Sequence, residues 1–95
     1  MTQKHKPKGT LLAVLDIGSS KIACFIGRVI DDEGGFEILG VGHHASKGVK
    51  GGTITDIDLA EAAIRQTVHA AENMAADIMK GYPLREVVVN MPGVH

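Results

Sequence analysis

Residues 11–29, LLAVLDIGSSKIACFIGRV, are two apolar runs with the polar stretch DIGSSK set between them. Continuous apolar runs of this length read as strands buried on both faces. Asp16 and Lys21 therefore stand between two buried strands. A charge there is costly unless a hydrogen-bond network, a cation or an anionic ligand offsets it. The pattern predicts a strand over residues 10–15 (TLLAVL), a turn at DIGSS and a strand over residues 21–30. In the second strand Ile22, Cys24 and Ile26 share one face, and Ala23, Phe25 and Val29 the other.

The rest of the chain extends this start. DDEGG at residues 31–35 is a turn signal between apolar runs, which predicts a hairpin into a third, antiparallel strand at residues 36–42 (FEILGVG). HHASKGVKGGTITDID reads as a loop, and GVKGGT within it as a tight crossover or an anion cradle. A long helix follows, with Asp58 as N-cap and Glu61 completing a capping box. Ala60, Ile64, Thr67, Val68, Ala71, Met74, Ala75 and Ile78 recur along one helical face; Glu61, Arg65, His69 and Glu72 lie away from it. Gly81 and Pro83 mark its end, giving about 22 residues and roughly 33 Å. REVVVN at residues 85–90 is a last strand, parallel to a strand of the same sheet after the helical crossover. MPGVH then ends the chain with one sheet face uncovered, as in the N-terminal piece of a larger protein.

Composition narrows the functional classes. With 95 residues, 44% of them hydrophobic and 22% charged, the chain suits one small soluble domain or part of a larger one. Aromatics are 3%, so the core is aliphatic, with Met74, Met79 and Met91 as filling. A net charge of −1 argues against nucleic acid as the main partner. The single cysteine, Cys24, fits a reducing, cytoplasmic setting and a packing role. Residues 1–9, with Lys4, Lys6 and Lys8, read as a disordered basic tail, because Asp16 ends the apolar run too early for a signal peptide. No segment approaches the roughly 20 apolar residues of a membrane span.

The turn carries the chemistry. Gly18 permits close backbone approach and an unusual φ. Ser19 and Ser20 add hydroxyl donors, and concave nests of such donors hold phosphate. Asp16 suits a hydrated Mg²⁺, which takes one or two carboxylates and keeps several waters. Lys21 supplies a point charge for a phosphate. The alternative is an ordinary hairpin turn in which Asp16 pairs with Lys21. DIGSSK is not a P-loop, since no Gly-Lys-Ser/Thr opens a helix. His43 and His44 read as a surface loop. No Ser/His/Asp or Cys/His constellation is placed for covalent catalysis, so no catalytic residue is assigned.

LDIGSSKIACFIGRV resembles the first phosphate motif of the actin, Hsp70 and sugar-kinase superfamily of ATPases, which lies in the hairpin between the first two strands. The resemblance implies a ribonuclease H-like α/β fold: the N-terminal part of the first lobe, β-β-β-α-β with a mixed sheet, over residues 10–90. ILGVGHHASKGVKGGTITDIDLAEAAIRQTVHAAENMA is similar to the FtsA family of bacterial cell-division proteins. There a Ser-x-Gly-x-x-x-Gly-x-Ile-x-Asp connection joins the third strand to the first long helix; here those positions are Ser46, Gly48, Gly52, Ile54 and Asp56. VVVNMPGVH resembles the exit of that family toward its small inserted subdomain, so residues 91–95 are its truncated start.

The FtsA resemblance implies ATP and Mg²⁺ as cofactors. Asp16, Gly18, Ser19, Ser20 and Lys21 would bind nucleotide, and Asp16 would hold Mg²⁺ through water. It implies at most a slow ATPase in the intact protein and none in this segment alone. It further implies self-association into actin-like filaments and a link from the FtsZ ring to the cytoplasmic membrane. That link runs through a C-terminal amphipathic helix outside this sequence, at the division site. The alternatives are the N-terminal segment of a sugar- or acid-kinase-like phosphotransferase, and a nucleotide-free interaction module.

Overall fold

The computed structural model of the chain describes residues 7–80, 84 and 86–91. β1 (Leu11–Ile17), β2 (Lys21–Val29) and β3 (Phe36–Ala45) run as an antiparallel meander. Two short strands, β4 (Val49–Lys50) and β5 (Thr53–Ile54), form a separate hairpin. The helix α1 (Ile57–Met79) and the strand β6 (Glu86–Asn90) complete the described elements. β6 is parallel to β1, giving a mixed sheet in the order β3-β2-β1-β6. Element order and strand directions are the β-β-β-α-β arrangement with a mixed sheet expected from the sequence, with the β4–β5 hairpin added before the helix.

Strand alternation decides which side of the sheet meets the helix. Leu11, Ala13, Leu15 and Ile17 of β1 and Ile22, Cys24 and Ile26 of β2 are buried in one cluster with Ala60, Ala63, Ala71 and Ala75 of α1. Helix and sheet lie close because β3 places glycine beneath the helix. A Cβ on Gly42 would run into the Thr67 carbonyl and the Ala71 N–H, and one on Gly40 into the Ala71 carbonyl. The alanine stripe is the other half of that fit. Thr67, fully buried among the alanines, satisfies its hydroxyl by donating to the Ala63 carbonyl at 2.7 Å. Cys24 is equally buried; burial first, and then the nearby Glu72 carboxylate, push its thiol pKa up.

A β-bulge lies where Ile26 pairs with Gly40 but Gly27 pairs with Ile38. Leu39, the extra residue on β3, turns into the core.

Several sequence expectations need correction. The helix begins two residues earlier: Asp56 is the N-cap, extended at φ −144°, and its carboxylate accepts from the Leu59 N–H at 3.0 Å. Asp58 lies in the first turn instead. The buried stripe is rotated from the predicted one. Ala63 belongs to it and Met79 packs against it, whereas Met74 and Ile78 are 65% and 47% exposed. The glycines of β3 explain this, since they draw the small side chains inward and leave the large ones at the flank. β1 continues through Asp16 and Ile17, and β3 through His43 and His44 to Ala45, so the histidines are strand residues and not loop. GVKGGT is a β-hairpin, turned by Gly51 and Gly52 at φ +57° and +78°, a backbone that other residues rarely adopt.

At the N-terminus, Gly9 donates its N–H to the Val29 carbonyl at 2.7 Å, so the sheet edge already holds it. The remainder of the predicted tail (residues 1–6), the helix stop at Gly81 and Pro83, Arg85, and residues 92–95 lie outside the described residues.

Candidate functional site

β1 and β6 are parallel neighbours, so their carboxyl ends lie side by side at the edge of the sheet that carries the β1–β2 turn. The register places Asn90 opposite Asp16, Asp16 opposite Ala23, and Ala23 opposite His43. Alternation puts this row on the face away from α1. Lys21, two residues before Ala23, shares that face and is exposed.

Asp16 is half-buried and has one side-chain partner among the described residues. The Asn90 amide donates to its Oδ1 at 3.2 Å. The Asp16–Lys21 ion pair that the plain-hairpin alternative allowed does not form among the described residues. One carboxylate oxygen is held by a neutral amide, and the group keeps acceptor capacity.

The turn itself is tighter than its sequence suggests. Gly18 donates its N–H to the Lys21 carbonyl at 3.0 Å. Its φ is not in the left-handed region, against expectation. Glycine suits the position for space instead, because an added Cβ would sit 3.0 Å from that same carbonyl, a contact tight enough that the turn would have to give by a few tenths of an ångström. Among the described residues the N–H groups of Ser19 and Ser20 donate to no protein acceptor. The turn N–H groups left without a protein acceptor among the described residues are therefore those of Ser19 and Ser20, not that of Gly18.

Sequence reasoning missed the segment that braces the turn. The Ser46 N–H donates to the Ser20 carbonyl at 3.0 Å, and the Gly51 N–H donates to Ser19 Oγ at 3.1 Å. Ser46 itself keeps a buried hydroxyl with no partner among the described residues. The sequence signals for this segment, the GVKGGT glycines and the family-like connection through Ser46, Gly48 and Gly52, mark a tight turn without saying what it touches.

The five residues named from the sequence thus fall at one edge of the sheet: Asp16 is the penultimate residue of β1, Gly18, Ser19 and Ser20 make the turn, and Lys21 opens β2. Asn90 and Gly51 join them. Metal chemistry by a side-chain cluster has no support, since among the described residues no three His, Cys, Asp or Glu side chains are grouped to hold an ion. A single carboxylate beside free backbone donors fits a hydrated cation held jointly with a phosphate. No helix among the described residues is long and apolar enough to cross a membrane.

No protein-family model matches the chain. Among curated proteins it is 40% identical over 90 residues to the cell division protein FtsA of Agrobacterium fabrum, an alignment covering 85% of this chain and 19% of that protein. It is 39% identical over 83 residues to FtsA of Bacillus subtilis, covering 87% of this chain and 17% of that one. With FtsA of Neisseria meningitidis serogroup B it shares 47% identity over 64 residues, 67% of this chain and 15% of that protein. The chain thus spans less than a fifth of the length of these relatives. Among solved structures, the Aquifex aeolicus PPX-GPPA enzyme is 20% identical with a TM-score of 0.45, covering 84% of this chain and 25% of that chain. A second structure, of the Aquifex aeolicus member of the Ppx/GppA family, is 17% identical with a TM-score of 0.46, at the same coverage.

Proposed function

We propose that this chain, which belongs to the FtsA family and corresponds to its N-terminal part, supplies the phosphate-facing wall of an ATP site in a bacterial cell-division protein. The observation that carries the reading is the β1–β2 turn, where the N–H groups of Ser19 and Ser20 have no acceptor among the described residues, together with the Asp16 carboxylate near the end of β1, which is bonded only by the Asn90 amide among them. The turn binds phosphate oxygens through those N–H groups and the serine hydroxyls. Gly18 keeps side-chain bulk out of the approach. Asp16 orients the water shell of Mg²⁺, with Asn90 fixing one carboxylate oxygen. Lys21, on the same face, adds positive charge toward the phosphates. Bound Mg-ATP supplies the anionic charge that these donors complement.

No described residue stands ready as a base toward water except Asp16, which is better used on the cation. On the family reading, ATP serves chiefly as a structural ligand, with slow hydrolysis at most. In the intact protein we place this segment in the cytoplasm, in filaments that tie the FtsZ ring to the membrane through a C-terminal helix outside this sequence. Family membership is what suggests that wider role; the turn bears only on its nucleotide part. A kinase-like phosphotransferase reading would need a catalytic carboxylate and a substrate pocket elsewhere in the chain.

The test is Gly18→Val in the intact protein. A Cβ at this position crowds the Lys21 carbonyl and intrudes on the phosphate approach. Calorimetry should show loss of Mg-ATP binding in a variant that still melts cooperatively. A folded variant with wild-type affinity would reduce the turn to a plain hairpin.

A further inference from the structure

The contact between Ser19 and Gly51 joins two segments 32 residues apart, and neither the strand ladders nor the core requires it. Gly51 lies at the tip of the β4–β5 hairpin, outside the paired residues 49–50 and 53–54, so its N–H is not used in the hairpin's own ladder. That N–H takes one lone pair of Ser19 Oγ at 3.1 Å. A serine hydroxyl has one proton and two acceptor sites, and otherwise rotates to suit its surroundings. With one acceptor site occupied, the hydroxyl proton turns away from Gly51. A second bond, from the Ser46 N–H to the Ser20 carbonyl at 3.0 Å, fixes the neighbouring peptide from the same side.

We propose that the Gly51 backbone N–H is a positioning group: it orients the Ser19 hydroxyl so that its proton is presented to a phosphate oxygen above the β1–β2 turn. The role rests on the nucleotide reading of the turn and deepens it. Gly51 touches no ligand and acts only through Ser19. Accepting from Gly51 also polarises the hydroxyl, since hydrogen bonds in a chain strengthen one another. The hairpin thus serves as a brace for a donor that a free rotor would present only part of the time.

The test uses the intact protein and three changes: Ser19→Ala, Ser19→Thr, and an amide-to-ester replacement at residue 51 that deletes the N–H alone. In the absence of nucleotide, hydrogen exchange at the Gly51 amide should be slow in the wild type, accelerate in Ser19→Ala and return toward wild type in Ser19→Thr. The ester should weaken Mg-ATP binding about three- to tenfold, the yield of one net hydrogen bond. Adding the ester to Ser19→Ala should weaken binding no further, because the N–H acts only through that hydroxyl. Gly51 should stay protected in the Mg-ATP complex.

Additive losses, an ester with wild-type affinity, or loss of Gly51 protection on binding would overturn the positioning role. Gly18→Val separates the two levels. If it abolishes binding while the ester does nothing, only the brace is wrong; if it too binds as wild type, the nucleotide reading falls and the brace with it.

Discussion

The Asn90 amide nitrogen lies 3.2 Å from Asp16 Oδ1, a bond between residues 74 apart that ties the carboxyl ends of β6 and β1 together above their shared ladder. It answers why a carboxylate can stand within a buried strand here. Asp16 projects from the face away from the helix, where a neutral amide satisfies part of it and leaves the rest to solvent or ligand. A salt bridge to Lys21 would have consumed both charges and closed the site.

Helix packing offers a test independent of function. Ala71 is fully buried, its backbone pressed on Gly42 and Gly40. Ala71→Leu should therefore destabilise the intact protein by roughly 1–3 kcal/mol through overpacking. Gln66→Lys, on the exposed side, should stay within about 0.5 kcal/mol. Equal penalties in urea unfolding would show the stripe to be misplaced.

The two aspartates at the helix start should separate cleanly. Asp56→Ala removes the carboxylate that accepts from Leu59 N–H and should cost about 0.5–2 kcal/mol. Asp58→Ala removes only a charge near the positive end of the helix dipole, about 0.3–1 kcal/mol and screened by salt. A larger loss at Asp58 than at Asp56 would restore the cap to the position predicted from the sequence.

Acid stability should report the β2–β3 turn. The Asp31 carboxylate accepts from the N–H groups of Gly35 and Glu33, each at 2.8 Å. These bonds, Gly35 first, hold its pKa below the usual carboxylate value; desolvation opposes them and Lys8 adds slightly. A depressed folded pKa contributes stability above the unfolded value and loses it as pH falls through the folded one. Asp31→Ala should thus lower the melting temperature at neutral pH and flatten its decline below about pH 4. Parallel acid limbs for variant and wild type would remove Asp31 from the account.

Much of this was legible in the sequence because it is local. Apolar runs, turn residues and a single long amphipathic pattern give the strands, the helix and their order. DIGSSK marks the turn by composition alone. What escaped depends on partners distant in sequence. The helix face turned because Gly40 and Gly42 decide how closely α1 can approach, and nothing within the helix records that. Asp56 displaced Asp58 as cap because the β4–β5 hairpin delivers the chain already extended at residue 56. Asn90 and Gly51 belong to the site only through strand pairing and hairpin geometry.

The central claim is that Asp16 and the adjoining turn hold a phosphate together with its cation. The most direct measurement is the Mg²⁺ dependence of nucleotide affinity in the intact protein, for wild type and Asp16→Asn. The substitution keeps the size of the side chain, and its amide can still accept from Asn90, so the fold should be preserved. Wild type should bind ATP more tightly as Mg²⁺ is added, and Asp16→Asn should lose that gain, worth about 1.5–3 kcal/mol for a contact to a charged group. The same gain with Mg²⁺ in both proteins would contradict the account.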